Sequence, residues 1–143
     1  MEYLDICKYV FSEEVVDWEL HTLESRKRQL VLARQISIYL GNWFYPTITD
    51  RELAAVFNKD HATASHAIKT IKQLLFSDKA LRLRMDKYLR IVREKIKADQ
   101  QKEVLKAARE KSIREKLLET IDSMELIAKV YCDITGKELT NKL

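Results

Sequence analysis

From Lys79 to Tyr131 the sequence contains neither glycine nor proline, and the whole chain of 143 residues holds only two glycines and one proline. Glycine supplies the left-handed backbone of many tight turns, and proline interrupts regular hydrogen bonding. A chain this poor in both lacks the turn residues of a sandwich or barrel. A charged fraction of 34% against 8% aromatic residues favours helices with solvated faces over strands. The expected fold class is all-α.

The length fits one domain plus an appendage and is enough to bury a core without disulfides or metal. Cys7 and Cys132 are far apart and have no Cys or His at ligand spacing, so they are read as reduced thiols that pack as small hydrophobes. No apolar run is long enough to span a membrane, and no charged-then-apolar leader opens the chain. The expected location is the cytoplasm. The net charge of +4 is unevenly spread. Residues 1–24 carry seven acids and one Lys; residues 25–76 carry eight bases and three acids. Residues 77–118 carry fourteen bases and seven acids; residues 119–143 carry three bases and five acids. The middle is basic and the ends acidic, so a polyanion is the natural partner for the middle.

Apolar spacing predicts a short amphipathic helix over Tyr3–Phe11, with Ser12 as the cap of a restart and a further helix over Val15–Leu23. A strong helix follows the basic run Ser25-Arg26-Lys27-Arg28. It places Leu30, Ala33, Ile36 and Leu40 on one side, and Gly41 and Pro46 are read as its stop. Thr49 with Glu52 forms a capping box that starts the next helix. Asn58-Lys59 makes a tight turn, because Asn tolerates a left-handed backbone, and Asp60 caps the helix after it. That helix turns Ala64, Ala67, Ile68, Ile71 and Leu75 inward and His61, Ala62, Ser65, His66, Lys69 and Lys72 outward.

Ser77-Asp78 caps a last, long helix. Leu117, Ile121, Met124, Ala128 and Tyr131 form a 4-3-4-3 heptad seam, separated from Leu89, Val92 and Ile96 by the polar stretch Lys97–Glu103. At 1.5 Å per residue an unbroken helix would be about 75 Å long. It either protrudes and pairs with another copy as a coiled coil, which is the favoured reading, or bends at the polar stretch and packs back.

A short helix, a tight turn and a second helix with small inner and polar outer residues is the helix-turn-helix plan, centred here on Asp60–Ser65. The first helix braces the second, whose N-terminal turn enters the major groove. The residues Asn58-Lys59-Asp60-His61-Ala62-Thr63-Ala64-Ser65-His66-Ala67 sit downstream of Ser25-Arg26-Lys27-Arg28 and Val31-Leu32-Ala33-Arg34-Gln35. Together these strings resemble the C-terminal DNA-binding domain of the bacterial chromosomal replication initiator DnaA. That family carries Gly-Gly-Arg-Asp-His-Thr-Thr-Val-x-His-Ala at the first and similar basic and Ala-Arg-Gln stretches upstream. The resemblance covers about residues 24–90.

The resemblance implies that Arg26 enters the minor groove. It implies that Arg34 and Gln35 hold the DNA backbone, and that Asp60, His61, Thr63 and His66 face bases in the major groove. Lys69 lies on the same outward face and would meet phosphate. Ala62 replaces a Thr and keeps only a methyl; Lys59 replaces an Arg and loses the bidentate fork. The expected partner is double-stranded DNA, in replication initiation, its regulation or transcription control. A helical protein–protein adaptor that has lost specific DNA binding is the alternative. No G-x-x-x-x-G-K-[ST] loop is present, so the initiator's ATPase module is missing and no nucleotide partner is expected. No nucleophile–base pair stands out, so no enzyme activity and no cofactor are expected. His61 and His66 are five apart, which does not suit a metal pair on one helical face. His21, Trp18 and Trp43 are read as structural. The expected domains are residues 1–90, the helix-turn-helix domain, and 91–143, a helical extension for self-association. Ile127–Lys142 also resembles the segment preceding the family's basic stretch, as a truncated second copy would.

Overall fold

The computed structural model describes residues 1–135 and is all-helical among them. Five helices follow in order: α1 Tyr3–Glu13, α2 Arg28–Phe44, α3 Asp50–Ala55, α4 His61–Ser77 and α5 Lys79–Thr135. A single 3-10 turn, Trp18–Leu20, lies between α1 and α2. The chain forms two units, Met1–Lys97 and Ala98 onward.

Within the first unit α2 is the central element. Six consecutive residues, Ile36 to Gly41, are buried, so it is covered on every side by its neighbours. α1 serves two core clusters at helical spacing. Tyr3, Cys7 and Phe11 join Leu30, Ala33, Leu53, Phe57 and Ala64. Ile6 and Val10 join Ile36, Leu40 and Ile71 with Leu81, Met85, Tyr88 and Val92 from the start of α5. Burial pushes the Cys7 thiol up to about 12, so it stays protonated and packs as a hydrophobe.

α1 ends differently from the expectation. Ser12 does not restart a helix; it lies in the last turn of α1, which runs on to Glu13. The Val15 N–H donates to the Ser12 carbonyl at 3.2 Å and the Val16 N–H to the Phe11 carbonyl at 2.9 Å. This is a Schellman closure, with Val15 at the left-handed position, φ 57°. Beyond it only Trp18–Leu20 is helical, because Asp17 caps that turn through the Glu19 N–H at 3.0 Å and the chain then leaves helical geometry. A β-branched residue in left-handed backbone is strained by about 1–2 kcal/mol. The Val15 side chain is 87% exposed, so little packing offsets this. Val15→Gly is therefore expected to stabilise the fold by about 1 kcal/mol, read as a rise in the urea midpoint at unchanged slope. A lower midpoint would refute the strain.

Gly41 does not stop α2, which continues through Phe44. Its lack of a side chain lets α1 and α3 approach, as the Tyr3 ring and Leu53 lie against it. The Tyr3 hydroxyl donates to the Leu53 carbonyl at 2.9 Å across this contact.

Asp78 caps α5, accepting from the Leu81 N–H at 3.0 Å. The start of α5 is tied to the end of α1. Lys87 Nζ meets Glu13 at 2.9 Å, Arg84 meets Glu14 at 3.5 Å, and the Tyr88 hydroxyl donates to Glu14 at 2.9 Å. Two carboxylates at a helix C-terminus oppose the helix dipole, and these cations offset that cost.

In the second unit α5 is helical through the polar stretch Lys97–Glu103 and on to Thr135. Ile113, Leu117, Ile121, Met124, Ile127, Tyr131 and Ile134 are each half or more exposed. Of the segment resembling a second copy, residues 136–142 lie outside the described residues. Among the described residues no helix is long and apolar enough to cross a membrane.

Candidate nucleic-acid interface

The turn and the start of α4 are built as their sequence predicts, and of the capping box expected at α3 the Thr49 half forms. Thr49 Oγ1 accepts from the Glu52 N–H at 3.3 Å and starts α3. After Ala55 the chain turns on three backbone bonds, Phe57 and Lys59 donating to Ala54 and Asn58 donating to Ala55, at 3.0–3.1 Å. Asn58 takes the left-handed position at φ 55°. Asp60 Oδ1 then accepts from both the Thr63 N–H and the Thr63 hydroxyl, each at 3.0 Å. Those two bonds hold the Asp60 carboxyl below its ordinary pKa, so the cap stays ionised.

The small residues Ala64 and Ala67 let α4 sit close on the core, with Ile71 buried a turn further on. Ser65 Oγ donates to Asp50 Oδ2 at 2.8 Å and ties α4 to the first residue of α3. Its hydroxyl is thus spent within the protein. His61, Ala62, Thr63, His66 and Lys69 are exposed.

Two hollows flank this helix. One of about 300 Å³ is lined by Ser25, Arg34 and Gln35 on the α2 side and by Phe57, Lys59, Thr63, His66 and Ala67 on the other. The second, about 660 Å³, is lined by Arg51, Ala55, Asn58, Lys59, Asp60 and His61. Sequence-predicted residues from α2, the turn and α4 therefore meet in space. Arg26, Ala62 and Lys69 are exposed and line neither hollow.

Three residues stand differently from what their type suggests. Arg34 is only 7% exposed. Its Nε donates to the His21 carbonyl at 3.0 Å, and Nη2 donates to the carbonyls of Leu20, at 3.4 Å, and Leu23. Lys59 Nζ is 3.5 Å from Glu24 Oε1, so the turn's cation already has a carboxylate beside it. Arg51 faces the second hollow with Asp60 and His61, and the motifs do not single it out. Its only signal in the sequence is a cation in the first turn of α3. Among the described residues no group of three or more His, Cys, Asp or Glu could hold a metal ion.

The capped pair α3–α4, its tight turn and the bracing α1 and α2 define a helix-turn-helix domain. Residues 5–71 match the family described as bacterial dnaA protein helix-turn-helix, so this part of the chain is similar to that domain. The match begins within α1 and ends within α4, against the residues 24–90 that the motifs alone indicate. The chain is similar to the chromosomal replication initiator protein DnaA of Bacteroides thetaiotaomicron, 36% identical over 90 residues, 63% of this chain and 18% of that protein. It is 39% identical to DnaA of Bacteroides fragilis over 77 residues, 54% of this chain and 15% of that protein. With DnaA 2 of Chlamydia pneumoniae it shares 45% over 60 residues, 41% of this chain and 13% of that protein. The chain thus spans less than a fifth of the length of these relatives.

Proposed function

We propose that this protein binds double-stranded DNA sequence-specifically through α4, in replication initiation, its regulation or transcription control. The groove that gathers Gln35, Lys59, Thr63 and His66 beside the α4 N-terminus supports this most directly. A helix fits the major groove, and its first-turn N–H groups favour an anion. In this reading His61, Thr63 and His66 read base edges with Asp60, and Ala62 offers its methyl to a thymine methyl. Gln35, Lys59 and Lys69 meet phosphate, and Arg26 reaches the adjacent minor groove. The role is one of binding without a catalytic step or cofactor, in the cytoplasm on the nucleoid.

Selection of bound sequences from a random duplex pool tests this. Enrichment of one short site is expected, with affinity falling steeply as salt rises. A pool that emerges random refutes sequence specificity. His61→Ala and His66→Ala are each expected to narrow the gap between target and random DNA by about 1–3 kcal/mol for every base the side chain reads. Variants that bind both DNAs like the parent would remove these residues from the recognition set.

The exposed apolar face of α5 supports a second part of the proposal, self-association through residues 91–143. Ile113, Leu117, Met124, Ile127, Tyr131 and Ile134 recur at heptad-compatible spacing, so the face suits a second copy of the same helix as a coiled coil. Leu117→Lys with Met124→Lys should convert a dimer to a monomer by sedimentation. A parent that already sediments as a monomer ends this reading. An adaptor that uses this face and ignores DNA would show salt-insensitive association and no duplex binding.

A further inference from the structure

We infer that Arg34 is a positioning residue: it clamps residues 20–23 so that Glu24, Ser25 and Arg26 stand beside the recognition helix, and it makes no phosphate contact itself. This rests on the DNA-binding reading above. An arginine next to Gln35 on a helix that borders the interface reads, from its type, as a phosphate ligand. Its surroundings give it other work. It is almost fully buried, and three hydrogen bonds run to the carbonyls of Leu20, His21 and Leu23.

Those carbonyls belong to the end of the 3-10 turn and the irregular chain after it, where the Leu20 carbonyl also takes the Leu23 N–H at 3.0 Å and those of His21 and Leu23 lie outside any helix. A guanidinium satisfies several carbonyls at once because its donors are fixed in a planar fork. The clamped segment is also held from either side. The His21 ring stacks on Trp18 with centroids 4.0 Å apart. Ser25 Oγ accepts from the Lys27 N–H at 3.2 Å as α2 begins. Between these fixed points lie Glu24 beside Lys59, Ser25 in the groove lining, and Arg26, exposed one residue further along the chain. Arg34 therefore acts on DNA through the segment it holds.

The test uses the full chain with Arg34→Lys, alone and combined with Arg26→Ala or His66→Ala. Lysine keeps the charge that a phosphate contact needs and loses the fork that the carbonyls need. Arg34→Lys is expected to weaken binding to the selected site roughly tenfold. In the Arg26→Ala background the further loss should shrink to within about twofold, because the residue it positions is gone. In the His66→Ala background the full loss should persist, so that the coupling is specific to Arg26. Affinity equal to the parent, or losses that simply multiply with Arg26→Ala, would overturn the proposal.

Hydrogen exchange gives a readout that needs no DNA. The amides of Leu23 and Lys27, bonded to the Leu20 carbonyl and Ser25 Oγ, should exchange at least about tenfold faster in Arg34→Lys, while α4 amides keep their rates. Unchanged exchange at Leu23 overturns the clamp. A parent that binds no duplex sinks the DNA reading instead and leaves exchange to decide the clamp by itself.

Discussion

Phe57→Ala is expected to cost about 3–5 kcal/mol of folding stability. Phe57 is wholly buried at the turn between α3 and α4. Its ring stacks on Phe11 with centroids 5.8 Å apart and 10° between planes, and it meets the edge of Trp18 at 6.4 Å. It also lines the groove with Thr63 and His66. Removing it opens a cavity where α1, the 3-10 turn and both helices of the motif converge. Urea denaturation should show the loss as a lower midpoint. DNA affinity measured where the variant remains folded should fall too, because the turn that aims α4 loses its support. A loss of under about 1 kcal/mol would show that the turn is not anchored through this ring.

Gly41→Ala is expected to destabilise by about 1–3 kcal/mol, although alanine is the better helix former by about 1 kcal/mol. An added Cβ would lie 2.6 Å from Tyr3 Cδ2 and 2.7 Å from Leu53 Cδ2. Both partners are buried, and the Tyr3 hydroxyl is bonded to the Leu53 carbonyl, so neither can withdraw freely. Thermal unfolding reads the change. Combining Gly41→Ala with Tyr3→Ala should cost less than the two changes separately, since the second removes one side of the clash. A Gly41→Ala protein as stable as the parent would mean that the α1–α2–α3 contact is loose enough to absorb a methyl group.

Most of the helices are legible in the sequence because their start and stop chemistry is local. Thr49, Asn58 and Asp60 each act on backbone within three or four residues, and each does in the structure what its type predicts. The long helix is legible because nothing between Lys79 and Tyr131 can end it. Local signals fail where the deciding contact is distant or the residue is of the wrong type. Ser12 has the chemistry of a cap but sits in a helical turn closed by Val15, a residue that no left-handed position favours. Gly41 resembles a stop and is a site of close approach to α1, some forty residues back in the chain.

The site divides in the same way. The outward set on α4 follows from helical spacing, and the structure leaves His61, Thr63 and His66 exposed. The surroundings of Arg34 depend on carbonyls eleven to fourteen residues away, which no periodicity reveals. Glu24 belongs by sequence to an acidic N-terminal stretch, and only the folded chain brings it to Lys59.

That pairing bears on how salt and DNA would compete for the turn. A lysine that meets a phosphate normally sheds a mobile ion from the duplex atmosphere, and this release makes binding salt-sensitive. Lys59 carries a tethered anion of its own. On the proposed interface a phosphate would displace the Glu24 carboxylate, leaving a negative charge of the protein close to the negative backbone. Only the geometry a target site imposes would repay that exchange, so Glu24 would act as a brake on indiscriminate adhesion to DNA.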